Sequence, residues 1–312
     1  MRAITFASYG GPDVLELTEQ PDPVVGPDSV VVRVRAAGVN PVDHKIRQGH
    51  LRERFVSHLP IIAGWDVAGV VEAVGPAVRD LAVGDEVIGY VRKDSIEHGT
   101  YAELVSADPR HLARKPASVS FAQAAALPLA GLTAQQSIAL AGVSAGDVVL
   151  VHAAAGGVGS FAVQLAAARG ARVIGTASEG NHEHVRGLGA EPVAYGEGLV
   201  ERVRALAPDG VDVVLDYVGG EALAQSPEVA RSTDRIVSVV DAATVLGFGG
   251  VYAFVRPDAT GLAALADLVD AGTLRIDLAA TFPLAEAAAA QQLVEQGHVR
   301  GKVAITVPGP RP

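Results

Sequence analysis

The spacing of apolar positions changes character once along the chain, near residue 121. Before that point, short alternating runs broken by Gly, Pro and Asp predict strands at Met1 to Phe6, Leu15 to Thr18, Ser29 to Gly38, Val67 to Val74, Gly84 to Tyr90 and Thr100 to Val105. Turn signals at near-regular spacing between them predict an antiparallel, barrel-like β domain. The stretches Leu51 to Leu59 and Val91 to Gly99 carry no readable pattern and read as loops. From Phe121 the texture becomes Ala-rich helix, over Gln123 to Leu140, and then strands alternate with helices.

The second half is organised around Asp147 to Arg169, DVVLVHAAAGGVGSFAVQLAAAR. Asp147 to His152 is a β-branched apolar run after the turn signal Ser144-Ala145-Gly146, which predicts a strand buried on both faces. From Val158, apolar side chains at Val158, Phe161, Ala162 and Leu165 keep the helical period, and Gly170 supplies a stop. Further strands are predicted at Ala171 to Thr176, Glu191 to Tyr195, Val211 to Asp216, Arg235 to Val240 and Gly250 to Phe254. Strands alternating with helices make a doubly wound parallel sheet, so the fold class is α/β. After Pro257 come helices over Gly261 to Ala271 and Leu284 to Gln296 and a strand over Lys302 to Val307. Pattern alone lets these extend the second domain or return to the first.

Between strand and helix, Ala154, Gly156 and Gly159 hold the A-x-G-x-x-G spacing, a variant of the dinucleotide fingerprint. Small residues there let the backbone turn sharply and approach a pyrophosphate, which the helix dipole and unpaired N–H groups favour. Gly156, Gly157, Val158 and Gly159 are therefore the expected pyrophosphate contacts. A tight turn needs glycine with or without a ligand, so the strand before it and the helix after it carry the inference. Val218, Val240 and Phe254 are expected at the C-terminal ends of later strands, where such sheets bind ligands.

Composition narrows the chemistry. A net charge of −10 argues against nucleic-acid and anionic-membrane binding. The first residues alternate like a strand and contain no apolar leader, and no run of eighteen apolar residues occurs, so a soluble cytoplasmic protein is expected. Cysteine is absent, which removes disulfides, a thiolate nucleophile and Cys-ligated zinc. His44, His50 and His58 match no common metal-ligand spacing, and loop histidines account for them better.

In family order, AAGVNPVDHKIRQG (Ala36 to Gly49), GWDVAGVVEAVG (Gly64 to Gly75), GDEVIGY (Gly84 to Tyr90), GTYAELV (Gly99 to Val105), the glycine turn, LDYVGG (Leu215 to Gly220) and GKVAITV (Gly301 to Val307) resemble the medium-chain dehydrogenase/reductase superfamily. Within it the chain is similar to the zinc-independent quinone oxidoreductase branch. The resemblance implies a GroES-like β-barrel catalytic domain over residues 1–120, completed by 258–312, and a Rossmann NADP-binding domain over 121–257. Where the zinc-dependent branch has a Cys ligand this chain has Asn40, and in place of its Gly-His-Glu motif stands Gly64-Trp65-Asp66. A homodimer is implied by the family and by the strand Gly250 to Phe254 at a sheet edge.

Without zinc, negative charge developing on a hydride acceptor's oxygen calls for hydrogen-bond donors or an ammonium. Lys45, in N-P-V-D-x-K, is the first candidate, at the position of a Lys in enone- and alkenal-reducing relatives; the alternative is a surface Lys paired with Asp43 or Glu53. Asn40 resembles the family's donor to the nicotinamide ribose or substrate oxygen, although Asn before Pro41 is also an ordinary turn residue. Asp43 is expected to orient Lys45 or its loop. Tyr90, His98 and Tyr101 are weaker candidates for the pocket edge, since barrel tyrosines more often serve packing. Thr133 resembles a family Thr near the nicotinamide. The tip of the second nucleotide-domain strand, about twenty residues past Ala154, carries no carboxylate where an NAD enzyme binds the ribose. Ser178 there, with His182, Arg186 and Tyr195 nearby, suits a 2′-phosphate, so NADPH is expected over NADH; Glu179 is the dissenting residue.

The expected activity is NADPH-dependent hydride transfer to a quinone or an α,β-unsaturated carbonyl compound in a water-poor cleft between the domains. None of the six tyrosines has Lys four residues on, which excludes a short-chain reductase's Tyr-x-x-x-Lys. A non-catalytic NADPH-binding or scaffold protein of the same fold is the alternative of another class.

Overall fold

A computed structural model describes residues 1–309. The first half runs β1 (Arg2–Phe6), β2 (Glu16–Glu19), β3 (Val30–Val39), α1 (Pro41–Arg47), β4 (Val56–Ile62), β5 (Asp66–Val74), β6 (Glu86–Tyr90), β7 (Ser95–His98), β8 (Leu104–Ala107), β9 (Leu112–Arg114) and α2 (Phe121–Ala125). β3 is valine-rich and buried along nearly its whole length because it is paired on both sides, with β5 along one edge and with β8 at its start on the other. β4 begins inside the first of the two stretches read as loops and runs past its end, and β7 falls within the second. They pair in parallel, Val56 opposite Ser95, but β4 is exposed over most of its length and so shows no alternation to read. The strand expected over Thr100 to Val105 instead begins at Leu104: Gly99 packs on the backbone of Ala63 and Gly64, and Thr100 and Tyr101 donate their N–H groups to that same turn.

The Ala-rich helix expected over Gln123 to Leu140 is two helices, α2 and α3 (Pro128–Leu140). Pro128 has no N–H to continue α2 and pushes Leu127 away from helical geometry, so the break is set by one residue. Beyond it come β10 (Val148–Val151), α4 (Gly157–Ala168), β11 (Arg172–Ala177), α5 (His182–Gly187), β12 (Ala190–Ala194), α6 (Leu199–Leu206), β13 (Val213–Asp216), α7 (Gly220–Val229), β14 (Ile236–Ser238), α8 (Ala242–Gly247) and β15 (Val251–Tyr252). All six strands are parallel, in the order β12-β11-β10-β13-β14-β15. The order reverses at β10, which puts the ligand-binding crevice beyond its C-terminal end, at the glycine turn. Leu150, Ile174, Val193, Val214, Leu223 and Ile236 are in the core of this sheet and its helices.

The chain then forms α9 (Ala259–Asp270), β16 (Leu278–Pro283), α10 (Ala287–Glu295) and β17 (Lys302–Thr306). β17 lies antiparallel beside the second half of β3, Val303 opposite Val39, so the C-terminal strand belongs to the first domain's sheet, ordered β16-β17-β3-β5-β6-β9. The other sheet there is β2-β1-β4-β7. The barrel is not wholly antiparallel, because α10 gives β16 and β17 the crossover that a parallel pair requires. By contacts the chain divides into one unit of residues 1–129, 257–271 and 276 onward, and a second of 130–256 and 272–275.

Candidate active site

The catalytic candidates lie where β3 gives way to α1. Asn40 ends the strand in extended conformation and stands before Pro41, which fits the first turn of a helix because its missing N–H is not needed there. The Asn40 N–H donates to Asp43 Oδ2 at 2.8 Å, and the Tyr101 hydroxyl donates to the same oxygen at 2.8 Å. Asp43 thus fixes the start of the helix. It does not hold Lys45, because residues two apart on a helix point to different faces. Lys45 is half-buried, and its ammonium makes no ion pair with Asp43, Glu53 or any other described residue.

The Asn40 side chain turns inward. Its Nδ2 donates to Asp66 Oδ2 at 2.9 Å, and its Oδ1 accepts from Lys302 Nζ at 2.5 Å. Lys302 also donates to the Val39 carbonyl at 3.0 Å, and the second oxygen of Asp66 accepts from the Leu129 N–H at 2.9 Å. Asn40, Asp43, Asp66, Tyr101 and Lys302 are all buried. Burial pushes the Asp66 carboxyl up to about 7 against the opposing pull of Lys302, Asn40 and the Leu129 N–H. Burial likewise pushes Asp43 up to about 6, opposed by its bonds to Asn40 and Tyr101. It lowers the Lys302 ammonium, which the two carboxylates partly restore, and raises the Tyr101 phenol, with Asp43 adding to the rise. The two carboxyls are thus raised toward neutrality, each held down by the same Lys302 ammonium.

Such a cluster does not fit a zinc ion. An ammonium occupies its middle, Asn40 is committed to that ammonium and to Asp66, and both Asp66 oxygens already accept N–H groups. Among the described residues no group of three or more His, Asp and Glu side chains is arranged to hold a metal. Tyr90 and Tyr101 are buried, Tyr90 edge-on to Trp65 at 6.1 Å, whereas His98 is exposed. A separate cavity of about 590 Å³ near Asp28, Arg92, Arg110 and His111 contains none of the candidates. Its Arg92, Lys93 and Arg110 are matched in number by Asp28, Asp94 and Asp108, so its lining carries no net formal charge.

In the second unit the glycine turn has the form its spacing predicts. Gly156 is the N-cap of α4 and offers no side chain to cap it, leaving the first-turn N–H groups for a ligand. A Cβ on Gly159 would stand 2.1 Å from the Ala153 carbonyl, so only glycine allows the helix to start this close to the strand. Ala153 has a left-handed φ of 56° and is secured from β11: its N–H donates to Thr176 Oγ1 at 3.0 Å, and the Ala154 N–H donates to the Thr176 carbonyl at 2.9 Å. Behind them His152 is fully buried, with Nε2 at 3.1 Å from Ser226 Oγ and its pKa lowered by burial to about 4, so the ring is neutral. Open N–H groups, a side-chain-free cap and tight glycine packing fit a pyrophosphate.

Ser178 opens the turn after β11 but does not cap it; its hydroxyl accepts from Asn181 Nδ2 at 3.1 Å. His182 begins α5 with a buried Nε2 that has no partner, Tyr195 is 52% exposed, and Glu179 and Arg186 are exposed. Thr133 is buried in α3. Val218, Val240 and Phe254 are 52%, 40% and 44% exposed beyond β13, β14 and β15, and so present apolar surface at the C-terminal ends of three adjacent strands. The loops carrying two of them are tied together by Asp216, which accepts from the Val218 and Gly219 N–H groups and, at 2.6 Å, from the Ser238 hydroxyl. Sequence reasoning assigned no role to Lys302, Asp66, Thr176 or Asp216. For Lys302, Asp66 and Asp216 the available signal was a charged residue at one end of an otherwise largely apolar strand; Thr176 had none.

Two family profiles match the chain: an alcohol dehydrogenase GroES-like domain over residues 26–117 and a zinc-binding dehydrogenase over residues 188–305. The chain is 37% identical to an NADPH-dependent alkenal/one oxidoreductase of Arabidopsis thaliana chloroplasts, over 98% of its own length and 79% of the relative's. It is 36% identical to a 2-methylene-furan-3-one reductase of Solanum lycopersicum, with the same two coverages. Among solved structures it superimposes on a quinone oxidoreductase from Coxiella burnetii with a TM-score of 0.88 and 37% identity, covering 99% of each chain.

Proposed function

Because the chain belongs to the zinc-independent quinone oxidoreductase-like branch of the medium-chain dehydrogenases/reductases, we propose that its two units divide one reaction, nucleotide binding in the doubly wound sheet and acceptor activation in the barrel. The protein is an NADPH-dependent oxidoreductase acting on a quinone or an α,β-unsaturated carbonyl compound. For an enone the balance is NADPH plus enone plus a proton giving NADP⁺ and the saturated carbonyl, the hydride entering at the β-carbon. NADPH supplies that hydride when bound. The turn Gly156-Gly157-Val158-Gly159 holds its pyrophosphate, Ser178, His182 and Tyr195 lie toward its ribose phosphate, and Thr133, Val218, Val240 and Phe254 flank its nicotinamide half.

The observation that carries the catalytic assignment is the state of α1. Its Asp43 is bonded to Tyr101 and Asn40, and its Arg47 to Glu295, while the Lys45 ammonium between them is committed to no described residue. Lys45 donates to the acceptor's oxygen as charge develops there, Asn40 supplies a second donor, and Asp43 positions the turn that carries both. One donor so placed is worth about 2.7–4 kcal/mol. Lys45→Ala is therefore expected to lower turnover about a hundredfold with NADPH affinity within about twofold of wild type. Turnover unchanged in that variant removes Lys45 from the mechanism.

The same proposal includes a homodimer formed through the edge strand β15, and a cytoplasmic location, to be checked by fractionation of cells that express the protein. Among the described residues no helix is long and apolar enough to cross a membrane.

A further inference from the structure

The buried ammonium of Lys302 has no part in the reaction as described so far. It lies at the first position of β17 and reaches the one point in the fold where strand β3 becomes helix α1. There it grips both the Val39 carbonyl, at 3.0 Å, and the Asn40 side-chain oxygen, at 2.5 Å.

An Asn amide has nearly the same shape in two orientations that exchange its oxygen and its NH₂ group. Which orientation holds is decided by its neighbours. An ammonium has donors only, so it accepts only the oxygen of Asn40, and this forces the NH₂ group toward Asp66, whose Oδ2 takes one of its two hydrogens at 2.9 Å. One N–H remains for any other partner. If the ammonium were absent, Asp66 alone would orient the amide. As a carboxylate it would still draw the NH₂ group, but as a neutral acid it could donate to the oxygen instead, and both orientations would be populated.

We propose that Lys302 is a positioning residue for the reaction, fixing the Asn40 amide so that its remaining N–H is offered to the reacting centre whatever the protonation state of Asp66. This rests on the reading of Asn40 as a donor at that centre. The groups that face Asp66 are Lys302 from β17, Asp43 from α1, Tyr90 from β6 and Tyr101 from the segment between β7 and β8. Of these only Lys302 touches the amide oxygen. α10 supports the same arrangement from the far end of α1, where Arg47 donates to Gln291 and Glu295 at 2.9 and 2.6 Å. The C-terminal return therefore holds both ends of the catalytic helix.

The test is steady-state and pH-resolved. Lys302→Met keeps length and loses the donor; it is expected to bind NADPH within about twofold of wild type, measured by fluorescence titration, and to turn over about tenfold more slowly near neutrality. The ratio of its turnover to that of wild type should rise as pH goes from about 6 to about 9, because an ionised Asp66 restores the orientation that Lys302 no longer imposes. Should this variant not fold, Lys302→Met with Asp66→Asn removes the unpaired buried charge and is expected to recover the melting temperature but not the turnover. A pH-independent ratio in the single variant overturns the proposal, as does a double variant that regains turnover along with stability. Asn40→Ala separates the two readings: full turnover in it overturns the role of Asn40, whereas slowed turnover in it together with a fully active Lys302→Met overturns only the role of Lys302.

Discussion

Burial does most to set the behaviour of individual side chains in this protein. Asp66 and Asp43 are carboxyls raised from 3.8 to about 7 and about 6 because water is excluded from them. A group whose folded pKa exceeds its unfolded one stabilises the fold fully below the unfolded value and loses that contribution as pH rises through the folded value. Wild type should therefore lose stability relative to Asp66→Asn between about pH 4 and somewhat above pH 7, by on the order of a few kcal/mol. Paired thermal melts across that range check it, and a stability difference that does not change with pH contradicts it. In the second unit, Thr176→Val leaves the strained Ala153 N–H without its partner and should weaken NADPH binding about tenfold, whereas Thr176→Ser should not. Equal affinity in Thr176→Val and wild type removes Thr176 from the support of the turn. The glycine turn was legible in the sequence because its spacing is local. The partners of Lys302 were not, because Asn40 stands 262 residues away and a lone Lys in an apolar strand also reads as an exposed edge position.

At the level of elements, the parallel sheet could be read strand by strand, since both of its faces are covered and its central strands β10, β13 and β14 are short, almost wholly apolar runs. The barrel was less legible wherever a strand is short or exposed on both sides. β4 shows no alternation, and no residue of β16 is fully buried. α1 is seven residues, about two turns, and stands on long-range contacts more than on its own periodicity. Its C-terminal anchor is the fully buried Arg47 guanidinium, which meets Glu295 at 2.6 Å. Arg47→Met leaves that carboxylate without its cation and removes the buried tie between α1 and α10, leaving Gln48 Nε2 on Glu295. The expected cost is on the order of 3–5 kcal/mol, reduced to the extent that Glu295 reaches water. Chemical denaturation measures it, and an unchanged midpoint would mean that α1 is held without the Arg47 guanidinium, by packing and the Gln48 bond to Glu295.

For the whole molecule, the order of the motifs made the architecture legible where no single motif did: a barrel, a doubly wound sheet, and a return whose destination the apolar pattern left open and the pairing of β17 with β3 decides. Self-association through the short edge strand β15 should appear as twice the chain mass in light scattering at micromolar concentration, and a monomer mass contradicts it. The central claim is that side chains, and no metal ion, activate an organic acceptor for hydride from NADPH. Its most direct test is a single turnover of chelator-treated protein loaded with one equivalent of NADPH and mixed with a panel of quinones and alkenals. The account predicts stoichiometric oxidation of the bound NADPH by at least one acceptor, at the same rate before and after chelation and slowed about a hundredfold by Lys45→Ala. Bound NADPH that no acceptor oxidises, or oxidation that returns only with added zinc, would contradict it.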